Sequence, residues 1–271
     1  MGVEYDGRRY HGWQAQREVD SVQARLEKAL SRVANHPVET VCAGRTDRGV
    51  HATQQVVHFD TPAQRSLRGW QLGTVQNLPD DITVHWAQVM DDRFHARFSA
   101  IRRQYRYVIL NRLTRPALQY GRVTWWYPDL DAERMDAGAQ YLLGRHDFTS
   151  FRGRDCQAHS PWRTLEAIRV QRRGDYLMVD VRANAFLHHM VRNIVGSLLE
   201  VGQRERDPEW MGKVLAACDR DAAGITAPAE GLYLVNVGYP PALGLPLSPR
   251  LPVFADPDDP LPPPQDAPAS D

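Results

Sequence analysis

The stretch SAIRRQYRYVIL at residues 99–110 decides the fold. Side chains alternate between the faces of a strand, so this reads as one long strand with Tyr105, Tyr107 and Ile109 on one face and Arg106, Val108 and Leu110 on the other. Toward the N-terminus, Met1 to Tyr5, Val38 to Cys42, Gln55 to Phe59 and Ile82 to Met90 are β-like runs. Among them, Asp20 to Ala34 sets Val22, Leu26, Ala29, Leu30 and Val33 at helical spacing, with Asp20 and Gln23 placed like a capping box. Toward the C-terminus, helices are predicted over Asp131 to Leu142, Phe186 to Val201 and Pro208 to Cys218. Strands are predicted over Thr164 to Gln171, Tyr176 to Arg182 and Leu232 to Val237.

Strands and helices interspersed without strict βαβ alternation predict an α+β fold, with a largely antiparallel sheet and helices packed on one face. The later half repeats the first loosely. The expected organisation is two similar halves, residues 1–110, which include the polar loop at 43–52, and residues 111–240, followed by a mobile tail over 241–271, rich in proline and aspartate.

No apolar run approaches the roughly 18 residues of a membrane span, and MGVEYDGRRY has no secretory apolar core. A cytoplasmic protein is expected. Cys42, Cys156 and Cys218 are far apart and form no CxxC pair, so they read as reduced thiols. The 33 basic and 33 acidic residues cancel only on average: from Pro240 onward there are five acidic residues and one basic, which leaves the body mildly basic. Residues 93 to 122 carry eight arginines (Arg93, Arg97, Arg102, Arg103, Arg106, Arg112, Arg115 and Arg122) and no acid. One face or edge is therefore expected to carry a positive field suited to nucleic acid. With only Lys28 and Lys213 as lysines, part of that arginine reflects composition.

The run AGRTDRGVHA at residues 43–52 lies between two β-like runs and is polar and glycine-bearing. Such a loop brings Arg45, Asp47, Arg48 and His51 into one small region; by itself it is equally a surface turn with a paired Arg and Asp. His188 and His189 are expected to face apart on a helix, and Cys156 with His159 makes one isolated CxxH, so no metal site is expected. There is no GxSxG, no GxxxxGK[ST] and no GxGxxG after a strand.

Taken together, these segments resemble the TruA family of tRNA pseudouridine synthases. The resemblance is carried by Tyr5-Asp6-Gly7 with Gly12-Trp13-Gln14, AGRTDRGVHA, Gln55 to Phe59, Asn77-Leu78-Pro79 and FHARFSA at 94–100. It continues through Arg103 to Tyr107, His146-Asp147-Phe148, NAFLHHMVRNIVGSL at 184–198 and TAPAEGLYL at 226–234, in order over nearly all of residues 2–240. It implies the pseudouridine synthase fold and isomerisation of uridines at positions 38 to 40 in the anticodon stem-loop of tRNA. It also implies a homodimer, with no metal and no organic cofactor. Residue by residue, it implies Asp47 as nucleophile, Tyr105 on the target uracil, Arg45 helping to open the RNA, Arg192 as the basic partner of Asp47 and Leu232 lining the pocket. The chain departs in opening almost at the first motif, where the family usually has a longer first strand, which leaves Met1 in question as the natural start. It departs again in carrying Arg48 where the family often has alanine.

The chemistry also follows from first principles. Cleaving N1–C1′, rotating uracil and joining C5 to C1′ involves no net oxidation or hydrolysis and suits a carboxylate. Attack at C1′, addition to C6 and removal of a ribose proton to give a glycal all remain open. The carboxylate must stay ionised in a water-poor pocket, which calls for a nearby cation. From the residues alone Arg192 either snorkels from its apolar helix or pairs with Asp47. A non-catalytic RNA-binding protein is the alternative reading of the same basic and aromatic residues.

Overall fold

In the computed structural model, which describes residues 1–252, the first elements are β1 (Gly2–Tyr5), α1 (Val22–Ala34), β2 (Val41–Cys42), β3 (His51–His58), α2 (Leu67–Asn77) and β4 (Ile82–Trp86). They are followed by β5 (Arg102–Asn111), β6 (Thr124–Trp126), α3 (Ala132–Gln140), β7 (Gly144–Asp147), β8 (Trp162–Arg173), β9 (Tyr176–Ala183), α4 (Met190–Gly202), α5 (Trp210–Ala217) and β10 (Leu232–Gly238). Residues 253–271 of the expected tail lie outside the described residues. Within its described part, Leu243, Leu245 and Leu247 pack against the main core.

The strands form one sheet in the order β4-β1-β3-β10-β5-β9-β8-β7, with β2 on β3 and β6 on β5. Neighbours are antiparallel except β10 with β3 and β6 with β5, which confirms the expected mixed fold with a largely antiparallel sheet. β5 lies at its centre, hydrogen-bonded to β10 on one side and β9 on the other.

The alternation read along β5 has a packing consequence on each face. Tyr105, Tyr107 and Ile109 join the main core, which also holds Leu26 and Leu30 of α1, Met135 of α3 and Ile194 and Leu198 of α4. Val108 and Leu110 enter a smaller cluster with Val123, Met178, Tyr233 and Val235. Arg106, on that second face, is 1% exposed and makes two 2.7 Å hydrogen bonds to the equally buried Asp180 of β9.

Several boundaries differ from expectation. The cap of α1 is Ser21, whose Oγ accepts from Ala24 N, and not Asp20, which instead pairs with Arg25 at 2.6 Å. The Gln23 side chain leaves the helix end to accept from Ala15 N and donate to Thr40 O. α4 begins at Met190, four residues later than expected, because His189 is left-handed at φ 60°. His188 is also tied to a neighbouring loop, its carbonyl accepting from Gly153 N and its N–H donating to Cys156 Sγ.

Candidate active site

The run Ala43–Ala52 connects β2 to β3, and its last two residues, His51 and Ala52, belong to β3. The rest is a pinned loop. Ala43 N donates to Val56 O, Gln55 Nε2 to Gly44 O at 2.7 Å and Trp13 N to Thr46 O at 2.9 Å, while the Tyr5 hydroxyl meets Thr46 Oγ1 at 2.7 Å. Asp47 O accepts from Val50 N across a tight turn whose Gly49 has φ 79°. Gly12, at φ 92°, backs onto this loop: a Cβ there would sit 2.7 Å from Thr46 O. The distant Tyr5-Asp6-Gly7 and Gly12-Trp13-Gln14 segments are therefore the mould of the Asp47 loop, a role that only the fold reveals.

Asp47 opens into a cleft of about 940 Å³. Arg45, Tyr105, Arg192 and Leu232 line the same cleft, so all five residues expected at the site are brought together. Tyr105 projects from β5, is 8% exposed and packs edge-on against Phe186 at 5.1 Å. Burial, reinforced by the Asp47 carboxylate, pushes its phenol above the usual tyrosine range. Leu232, 5% exposed at the start of β10, supplies an apolar wall.

The expected ion pair between Asp47 and Arg192 is not formed. Arg192 Nε donates to Ala227 O at 2.7 Å, and Ala227 N returns a bond to Arg192 O. The Asp47 oxygens instead face two imidazoles, His188 Nε2 and His189 Nε2, each at 3.4 Å. The expectation that these histidines face apart is likewise corrected, since they precede the helix and their rings stack at 3.8 Å with 26° between planes. Burial holds His189 below the usual histidine range, against the upward pull of Asp47. Arg192 lines the same cleft as a further cationic side chain. Asp47, His188 and His189 place one carboxylate oxygen and two imidazole nitrogens within 4.8 Å of one another, a donor set of the kind divalent cations accept. Near-parallel rings, however, send their lone pairs side by side, whereas a bound ion needs them to converge.

The arginine-rich stretch behaves differently from its expected role as a track. Five of its eight arginines meet carboxylates: Arg93 with Asp91, Arg102 with Glu166, Arg106 with Asp180, Arg112 with Asp175 and Arg122 with Asp6. A segment free of acids in sequence is thus not free of them in space. Arg103 donates to Ala43 O, Arg97 O, Ala100 O and Asn184 O, stapling the Asp47 loop to the two segments beside it. The cleft lining carries five guanidiniums (Arg45, Arg97, Arg103, Arg163 and Arg192) against the carboxylates of Asp47 and Asp155, and two of the five, Arg97 and Arg103, come from that stretch.

Residues that sequence reasoning passed over support the site from α4. The Asn193 amide donates to Phe151 O and accepts from Thr226 Oγ1, and Ser197 Oγ accepts from Gly224 N. These bonds clamp residues 224–227 onto the helix and hold the Ala227 carbonyl that Arg192 uses. Their signal in the sequence is three polar or small residues, Asn193, Gly196 and Ser197, inside a mostly apolar helix.

No helix among the described residues is long and apolar enough to cross a membrane. A family profile described as tRNA pseudouridine synthase matches residues 1–99 and 139–240. The chain is 57% identical over 254 residues to a protein of Vibrio cholerae named tRNA pseudouridine synthase A, covering 94% of this chain and 96% of that one. It is 58% identical over 254 residues to proteins of the same name from Escherichia fergusonii and Escherichia coli, covering 94% of each. An aspartate loop moulded by distant glycines, set in a guanidinium-lined cleft and matched along most of the chain, means that the chain belongs to the tRNA pseudouridine synthase family and is an enzyme, not a non-catalytic RNA-binding protein.

Proposed function

We propose that this enzyme isomerises uridine to pseudouridine at positions 38 to 40 of the tRNA anticodon stem-loop, with Asp47 as the nucleophile. The observation that carries the reading is the position of Asp47. It is one of two carboxylates in a cleft with five guanidiniums, and it shares that cleft with an aromatic hydroxyl and an apolar wall. Guanidiniums on the phosphates offset the few kcal/mol needed to unstack the target base. Leu232 and the Tyr105 ring then hold the uracil, Arg45 occupies the space it vacates, and Arg192 keeps the carboxylate ionised when water is expelled. Asp47 forms its bond at C1′ or C6, or takes a ribose proton, while N1–C1′ breaks. The uracil turns and C5 joins C1′. The bond to Asp47 then breaks, or the ribose proton is returned, freeing the carboxylate; the C5 proton leaves to a base or to water, and N1 takes up a proton in exchange. Substrate and product have the same composition and oxidation level, and the reading assigns every step to side chains of the cleft, with no metal and no organic cofactor.

The enzyme acts in the cytoplasm as a homodimer whose two chains shape the RNA-binding cleft. Sedimentation at micromolar concentration should give twice the chain mass, and a single-chain mass counts against the dimer. Mapping pseudouridine in an unmodified tRNA transcript after incubation with the protein should place the product at positions 38 to 40. Product confined to other positions would overturn the site assignment while leaving the chemistry intact.

A further inference from the structure

Phe98 is an aromatic side chain 76% exposed to solvent on a loop that is otherwise held firmly. His95 Nδ1 accepts from both Arg97 N and Phe98 N, His95 N donates to Ser99 Oγ, and Ser99 N donates to His95 O. Arg103 holds the same loop through Arg97 O. Local flexibility therefore does not account for a large apolar ring standing in water.

The ring is the outer step of an aromatic ladder. Buried Phe94 meets His58 edge-on at 6.1 Å, His58 meets His95 at 4.7 Å, and His95 stacks on Phe98 at 4.3 Å with 26° between planes. The Arg97 guanidinium, which lines the Asp47 cleft, lies 5.6 Å from the Phe98 ring centre. An exposed, pre-oriented ring beside a cation that lines an RNA-modifying cleft is the combination that grips single-stranded nucleic acid, the ring taking a base and the guanidinium a phosphate.

We infer that Phe98 is a stacking platform for an unpaired nucleobase next to the target uridine, with Arg97 on the adjoining phosphate. Extruding the uridine leaves its neighbour without a stacking partner, and an aromatic surface next to Arg97 replaces what that neighbour loses. Fixing Phe98 beforehand keeps the entropy cost of the contact low. The inference rests on the cleft being the uridine site, but its test reads binding and does not depend on Asp47 chemistry.

The experiment measures the Kd of an unmodified tRNA transcript carrying 2-aminopurine beside the target uridine, with full-length protein at fixed salt. Phe98→Ala should weaken binding by roughly five- to a hundredfold, the range for losing one base–aromatic stack. Wild type should quench the 2-aminopurine fluorescence, and Phe98→Ala should abolish that quenching. Phe98→Trp should restore both, and Phe98→Leu, equally apolar but without a ring, should not. The dependence of Kd on salt should be unchanged by Phe98→Ala and reduced by about one counterion by Arg97→Ala. Tight binding and normal quenching by Phe98→Ala, or full restoration by Phe98→Leu, would overturn the platform.

Discussion

The chemistry of the site turns on which groups surround one carboxylate. The Asp47 loop, Tyr105, Arg192 and Leu232 were legible in the sequence as motifs, and the fold gathers them in one cleft. The contacts of Asp47 were not legible, because they depend on where a helix begins. A left-handed His189 makes the helix start only after the histidines, whose rings both face the carboxylate, while Ala227 takes the Arg192 Nε bond. Tyr105 offers a test at this scale. Its phenol is raised above the ordinary value of about 10, so it stays protonated through the alkaline range in which an exposed tyrosine would ionise. The single-turnover rate should therefore show no inflection near pH 10 that disappears in Tyr105→Phe. Tyr105→Phe itself should lower that rate by about tenfold or more with tRNA affinity retained. A rate equal to wild type would remove the hydroxyl from the reaction.

At the scale of elements, β5 was read correctly because alternation over ten residues is a strong signal, and buried Arg106 fits it once Asp180 is seen opposite. α2 was missed for the opposite reason. Only Trp70 and Thr74 are buried on it, and Leu67 and Leu72 face solvent, so it has no apolar stripe to read. β6 and β7 are three and four residues long, too short for a period to register. The contact between α4 and residues 224–227 is the element-scale support of the site, and Gly196 is where it is closest. A Cβ at Gly196 would lie 1.7 Å from Ile225 O. Alanine favours a helix over glycine by about 1 kcal/mol, but overpacking against backbone costs about 1–3 kcal/mol or more, and here it also displaces the partner of Arg192. Gly196→Ala should lower the urea midpoint at unchanged slope and reduce pseudouridine formation. An unchanged or raised midpoint would show that the segment moves aside freely.

Over the whole molecule, the mixture of strands and helices announced the fold class, but the strand order did not follow from it. β10 reaches back from residue 232 to lie between β3 and β5, and no local pattern encodes that return. The same long-range pairing gives most of the arginine-rich stretch carboxylate partners and leaves Arg97 and Arg103 in the cleft lining. Its carboxylate partners Asp6, Glu166, Asp175 and Asp180 arrive from other parts of the chain. With five guanidiniums lining the cleft, tRNA affinity should fall steeply as salt is added, and a flat response would mean that phosphates are not held there. The central claim, that the Asp47 carboxylate performs the isomerisation, is tested most directly by incubating unmodified tRNA with Asp47→Asn and measuring both binding and pseudouridine. The account requires a Kd within a few-fold of wild type and no detectable pseudouridine; pseudouridine formed at the wild-type rate would contradict it.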